Sequence, residues 1–184
     1  MNLPNKLSFS RVLLIPVMVV FYYLIVEGSI DSDPWWMVIP IIFIVASLTD
    51  FLDGYIARKY NLVTTFGKFI DPLADKLLVM AALLILNDYG LIPMWITLII
   101  LSREFIVTGI RLIAVQTGKV IAASKLGKYK TASTMIALVL LLLTPLYEDL
   151  ELTGLIILYI GLALTIISGI EYFYKNKEII MESI

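Results

Sequence analysis

The sequence predicts an all-α, polytopic membrane protein with six transmembrane helices, on three observations. The 184 residues are 60% hydrophobic and only 16% charged, with a mean hydropathy of +0.96. A soluble domain is nearer half apolar and about a quarter charged. Apolar runs recur at the length a membrane helix needs, about 20 residues with a working range of about 17–25. The connections between these runs alternate between purely acidic ones and ones that gather the basic residues.

The first span is expected over roughly Leu7–Val26, behind a short N-terminal amphipathic segment lying on the membrane surface. Its apolar run is too long for a secretory signal, and no small-residue cleavage site follows. The second span, roughly Trp35–Ala57, opens on Trp35 and Trp36 as interfacial anchors. The third is expected over Ile70–Leu86, the fourth over Leu91–Ala114, the fifth over Leu126–Tyr147 and the sixth over Leu152–Tyr172. The whole chain, 1–184, reads as one membrane domain, without a large soluble domain, a low-complexity tract or a clear internal repeat.

Three connections carry acids and no lysine or arginine: Glu27, Asp31 and Asp33; Asp88; and Glu148, Asp149 and Glu151. All 14 basic residues lie in the other connections, the termini or the adjoining parts of helices. Positive charge stays on the cytoplasmic side of a membrane. Both termini are therefore expected in the cytoplasm, and the protein in the cell membrane. A polar cavity open to the cytoplasm is expected with them, and no nucleic-acid partner.

Cysteine and histidine are both absent. This excludes disulfides, thiolate nucleophiles, Cys/His zinc sites and a Ser-His-Asp triad. A metal would need oxygen ligands, which favours magnesium, calcium or manganese. A general base would have to be a carboxylate, lysine or tyrosine.

The stretch "SLTDFLDGYIARKYNLVTTFGKFIDPLADK", Ser47 to Lys76, concentrates the unusual chemistry. Asp50, Asp53, Gly54 and Ala57 recur at i, i+3, i+4 and i+7, and so share one helical face. Gly67, Asp71 and Asp75 recur at i, i+4 and i+8 on a second. If the two faces meet, four carboxylates converge, with small residues along the seam. Helix-end placement would account for Asp71 and in part for Asp75, because the helix dipole favours acids at an N-terminus. It leaves Asp50 and Asp53 unexplained inside an apolar span, where acids are costly and usually functional. Four such charges repel strongly, so either several are protonated or cations neutralise them. Two divalent ions would balance the four, and paired metals are a common device for phosphoryl transfer. Arg58, on the same segment, could bind a phosphate oxygen.

Written as a pattern, the stretch is Asp50-x-x-Asp53-Gly54-x-x-Ala57-Arg58, eight residues, then Gly67-x-x-x-Asp71-x-x-x-Asp75. It resembles the signature of the CDP-alcohol phosphatidyltransferase family, with no departure at its fixed positions. The resemblance, which extends to six spans and a cytoplasmic site, implies transfer of a phosphatidyl group from CDP-diacylglycerol to an alcohol, with release of CMP. It implies that Asp50, Asp53, Asp71 and Asp75 hold two divalent ions, usually Mg2+ or Mn2+. It implies that Asp75 is also the catalytic base for the acceptor hydroxyl. Asp53, Gly54, Ala57, Arg58 and Gly67 would bind the nucleotide and its diphosphate. Members are commonly homodimers, so a homodimer in contact with membrane lipids is part of the expectation.

The acceptor is a separate question, carried by "LSREFIVTGIRLIAVQTGKVIAASKLGKYKT", Leu101 to Thr131. Arg111, Lys119, Lys125, Lys128 and Lys130 supply more positive charge than topology requires. They would suit an acceptor that carries a phosphate, with arginine gripping bidentately and lysine as a point charge. The sequences "SREF" and "VIAASKLGKYKT" are similar to the bacterial branch of the family that makes phosphatidylglycerolphosphate. That similarity implies sn-glycerol 3-phosphate as acceptor, with Arg111, Lys125 and Lys130 as phosphate contacts ahead of Lys119 and Lys128. Arg103 and Glu104, in the apolar body of the fourth span, read equally well as an ion pair facing the bundle interior. Asn5, Ser8 and Arg11 match residues common in that branch, with roles left open between nucleotide or lipid contact and interfacial anchoring. The alternatives are the same chemistry on inositol phosphate, phosphatidylglycerol or serine, or a cation or proton transporter using the intramembrane aspartates. Transporters usually pair broken helices in repeated halves, whereas here all four acids fall in one helix pair.

Overall fold

The computed structural model describes residues 3–30, 35–60, 64–116, 125–177 and 181. Among them stand six long α-helices: α1 (Leu3–Val26), α2 (Val38–Lys59), α3 (Thr65–Asp88), α4 (Met94–Gln116), α5 (Lys125–Leu143) and α6 (Leu150–Lys175). The chain is an all-α membrane protein. Its helices are apolar on both sides, the mark of elements that meet lipid as well as neighbours. Helix α1 buries Ile15, Met18, Tyr22 and Ile25 while exposing Phe9, Leu13, Val17 and Val20. Helix α6 buries Leu158 and Leu162 while exposing Ile156, Ile160, Ile166, Ile167 and Ile170.

Among the described residues, three stretches are long and apolar enough to cross a membrane unaided: Asn5–Val26, Leu126–Leu143 and Leu150–Lys175. The other three helices, α2, α3 and α4, carry charged residues such as Asp50, Asp71, Asp75, Arg103 and Glu104 along their length, which lowers their hydropathy. Their apolar residues still enter one core that draws on all six helices, including Phe43 of α2, Leu83 of α3, Ile96 of α4 and Leu138 of α5.

Two packing features position the site. Helix α1 packs against both α2 and α3, more extensively than those two pack against each other. Helices α5 and α6 form the tightest pair, because glycine lets their backbones approach. A Cβ at Gly161 would stand 3.0 Å from Ser133 Oγ and 3.1 Å from Thr134 Oγ1, and one at Gly154 would stand 2.9 Å from Leu141. At the far end of the bundle, Tyr22 donates to Asp88 Oδ2 at 2.7 Å and Trp36 Nε1 to the Leu142 carbonyl at 2.8 Å. Gly28 and Gly90 end α1 and α3 with φ of 72° and 86°, the left-handed region that closes helices on glycine.

Two expectations change. The N-terminal segment is not a separate surface element: α1 runs unbroken from Leu3. Pro4 stands in its first turn, where a missing N–H breaks no helical bond. Two polar residues of the segment, Asn5 and Ser8, are buried, while Lys6 is exposed. Helix α3 also starts well before Ile70. Thr64 is its N-cap, with extended backbone and a side chain that accepts from the Gly67 N–H at 3.0 Å. Asp71 is thus beyond the first turn, out of reach of the dipole argument that could have explained it.

Candidate active site

Asn5, Ser8 and Arg11 lie at i, i+3 and i+6 on α1 and are all buried. Helical spacing gives them one face, and that face meets the aspartate helices. Thr64 Oγ1 donates to Asn5 Oδ1 at 2.9 Å. Ser8 Oγ donates to Asp71 Oδ1 at 2.5 Å. Arg11 Nη1 donates to Asp50 Oδ1 at 2.7 Å. The faces of α2 and α3 are therefore linked through α1, which neutralises one carboxylate and orients another. The sequence held a signal for this, three polar residues at helical spacing in an apolar span, but nothing in it said what they faced.

Gly67 of α3 lies against Asn5 of α1. A Cβ there would stand 3.0 Å from Asn5 Oδ1 and 3.2 Å from Thr64 Oγ1. Any side chain at this position would strain the cap and the Asn5 contact together. Gly54 is half-buried on α2. The side chains of Asp53, Ala57, Arg58 and Lys125 lie outside the described residues, as does Lys119 altogether.

Asp75 is partly buried one turn beyond Asp71 and lies within electrostatic reach of Asp50, Glu104, Lys76 and Arg11. The donor set is carboxylate oxygen alone, the chemistry that suits hard divalent cations. Among the described residues no group of three carboxylates forms a metal-holding set. Asp50, Asp71 and Asp75 are the described members of the expected four-carboxylate set, and their oxygen chemistry suits such an ion.

Beside Asp75 opens a cavity of about 690 Å³ between α3, α4, α5 and α6, within the range of about 300–1,000 Å³ usual for small-ligand sites. Its cationic lining is Lys76, Arg103, Arg111, Lys128 and Lys130, and its acidic lining is Asp75 and Glu104. Of the cations expected to grip a phosphate, Arg111 and Lys130 are here. Lys128, ranked behind them, is here as well, and Lys76 and Arg103 join without having been assigned to an acceptor. Arg111 Nε donates to Tyr172 Oη at 3.3 Å, with the guanidinium 5.6 Å from the centre of the tyrosine ring. Arg103 and Glu104 do pair, at 3.1 Å. Lys130 of α5 donates to the same Glu104 oxygen, so the pair belongs to a network across helices. Arg103 Nη2 reaches Ser168 Oγ of α6 at 3.0 Å.

The site therefore has two compartments, an aspartate cluster organised by α1 and a basic cavity, which meet at Asp75. That arrangement can bring a substrate held at the carboxylates next to a second substrate that carries an anion. Comparison with known proteins agrees. The sequence model of the CDP-alcohol phosphatidyltransferase family matches residues 1–167. A CDP-diacylglycerol–glycerol-3-phosphate 3-phosphatidyltransferase of Bacillus subtilis (strain 168) is 47% identical over 99% of this chain and 98% of its own length. Proteins of the same name are 44% identical in Rickettsia bellii, over 96% of each chain, and 40% identical in Haemophilus influenzae, over 100% of this chain and 97% of the other.

Proposed function

The chain belongs to the CDP-alcohol phosphatidyltransferase family, and from that premise we infer that it transfers the phosphatidyl group of CDP-diacylglycerol to sn-glycerol 3-phosphate. It is a CDP-diacylglycerol–glycerol-3-phosphate 3-phosphatidyltransferase, releasing CMP and phosphatidylglycerolphosphate in phospholipid synthesis. The observation that carries the acceptor is the basic cavity opening directly on Asp75.

In this reading Asp50, Asp53, Asp71 and Asp75 hold two divalent ions, Mg2+ or Mn2+. Bound there, the ions would neutralise the diphosphate and stabilise CMP as leaving group. Arg11 and Ser8 set the aim of Asp50 and Asp71. Asp53, Gly54, Ala57, Arg58 and Gly67 accommodate the nucleotide and diphosphate. Arg111, Lys130 and Lys128, with Lys125 at the start of α5, hold the acceptor phosphate. Asp75 takes the proton of the primary hydroxyl as its oxygen bonds to the phosphatidyl phosphorus and the bond to CMP breaks. Binding energy from the non-reacting phosphate holds the hydroxyl in line for this step.

An acceptor panel tests the reading: glycerol 3-phosphate, inositol phosphate, phosphatidylglycerol, serine and glycerol, each with CDP-diacylglycerol and magnesium. Glycerol 3-phosphate should give the highest rate of CMP release, and glycerol and serine almost none. Arg111→Gln should raise the KM for glycerol 3-phosphate about 10–100-fold, the worth of one charged hydrogen bond. The KM for CDP-diacylglycerol should barely move. A better rate on inositol phosphate or phosphatidylglycerol would keep the enzyme class and remove the acceptor.

The reading also includes six spans, both termini and the active site in the cytoplasm, and a homodimer in the cell membrane. Single cysteines can be introduced without background, because the chain has none. An impermeant thiol reagent added to intact cells should label positions 31, 88 and 149 and leave 59 and 125 unlabelled. Labelling at 125 would reverse the orientation.

A further inference from the structure

Glu104 is out of place in a cavity built for an anion. It lies among the cations of that cavity, and its Oε1 accepts from both Lys130 Nζ and Arg103 Nη1. The two cations are held differently. Arg103 is anchored from two sides, by Glu104 and by Ser168 of α6. Lys130 is buried and reaches across from α5 to Glu104. A buried ammonium without a counter-ion is costly, and stripping one partner from such a pair leaves that cost behind. An empty cavity therefore needs an anion of its own. A filled one does not, because a phosphate dianion can take the ammonium.

We propose that Glu104 is the resident anion of the acceptor cavity: it holds Lys130 while the cavity is empty and yields it to the acceptor phosphate, so that acceptor affinity is set by competition between carboxylate and phosphate. The proposal rests on the acceptor reading given above. It makes Glu104 a positioning residue that acts through Lys130. It also gives the product a way out. After transfer the phosphate belongs to a lipid that has to leave, and Glu104 reclaiming Lys130 weakens the last grip on it.

The probe is orthophosphate, added to the purified full-length protein in lipid nanodiscs and followed by calorimetry and by its effect on Tm. Glu104→Gln should bind orthophosphate about tenfold more tightly than the unaltered protein, since it leaves Lys130 unpaired. Its Tm should rise more on adding phosphate, because a ligand stabilises in proportion to its affinity. Glu104→Asp keeps the charge and should stay near the original affinity. In a Lys130→Gln background, Glu104→Gln should bring no gain. In turnover, Glu104→Gln should lower the acceptor KM and kcat together, as the product is held longer. A merely structural carboxylate would leave phosphate affinity unchanged or weaken it, and either result overturns the proposal, as does a gain that persists without Lys130. If Glu104→Gln aggregates, saturating orthophosphate should restore a monodisperse sample, and failure to do so counts against the idea. Failure of the unaltered protein to use glycerol 3-phosphate would count against the acceptor reading alone, since phosphate binding requires no turnover.

Discussion

Asp75→Asn is expected to lower turnover by about 10³-fold or more while leaving the protein folded. The expectation combines two losses. An amide cannot take the acceptor proton, and general bases are worth about 10²–10⁴-fold. It is also a poorer ligand than carboxylate for a hard divalent ion. The position explains why no neighbour should substitute. Asp75 is where the aspartate cluster and the basic cavity meet. Asp71 is tied to Ser8 at 2.5 Å and Asp50 to Arg11 at 2.7 Å, while Glu104 is engaged by Lys130 and Arg103. The measurement is CMP release from CDP-diacylglycerol by a monodisperse sample. Activity above a few per cent of the original would move the base elsewhere.

Removing divalent ions is expected to stop the reaction completely, and magnesium or manganese to restore it. Neutralising a diphosphate leaving group is worth several kcal/mol of barrier, and each 1.36 kcal/mol is about tenfold in rate. A loss of at least about 10³-fold in excess chelator follows. A guanidinium carries one positive charge against the two of each ion, so it is no substitute of equal charge. Arg11 neutralises one carboxylate of the cluster but is fully buried and committed to Asp50. Calcium is an informative third arm. It accepts the same oxygen ligands but with looser geometry and longer bonds, so it should bind and support little turnover. Full activity in excess chelator would dismiss the metal ligand set and leave the family assignment standing.

The role of α1 changes how the aspartate signature is understood. Asp50 and Asp71 are on different helices, and each is oriented by a residue of α1 three positions from the other's partner. Helix α1 is thus a template for the cluster, and Thr64, Gly67 and Asn5 lock it to the start of α3.

Much of this was legible in one dimension, for physical reasons. Membrane thickness dictates the length of an apolar run, so composition alone placed all six helices, usually to within a few residues. Helical periodicity put Asp50 with Asp53, and Asp71 with Asp75, on shared faces. A charge inside an apolar span is costly enough that its presence already pointed to function. The errors came where a helix is polar at its end. The start of α3 lies outside the apolar run and depends on the Thr64 cap, and near the start of α1 the buried polar residues Asn5 and Ser8 bond Thr64 and Asp71. What the tertiary structure alone decided is which charges meet. Ser8 and Asp71 are 63 residues apart and Arg11 and Asp50 are 39 apart. The basic cavity draws Lys76, Arg111 and Lys130 from three helices. Periodicity fixes the face of a helix but not the rotation or depth at which that face meets another, and those are settled by close packing, as where Gly161 lets α6 approach α5 and Gly67 lets α1 approach α3.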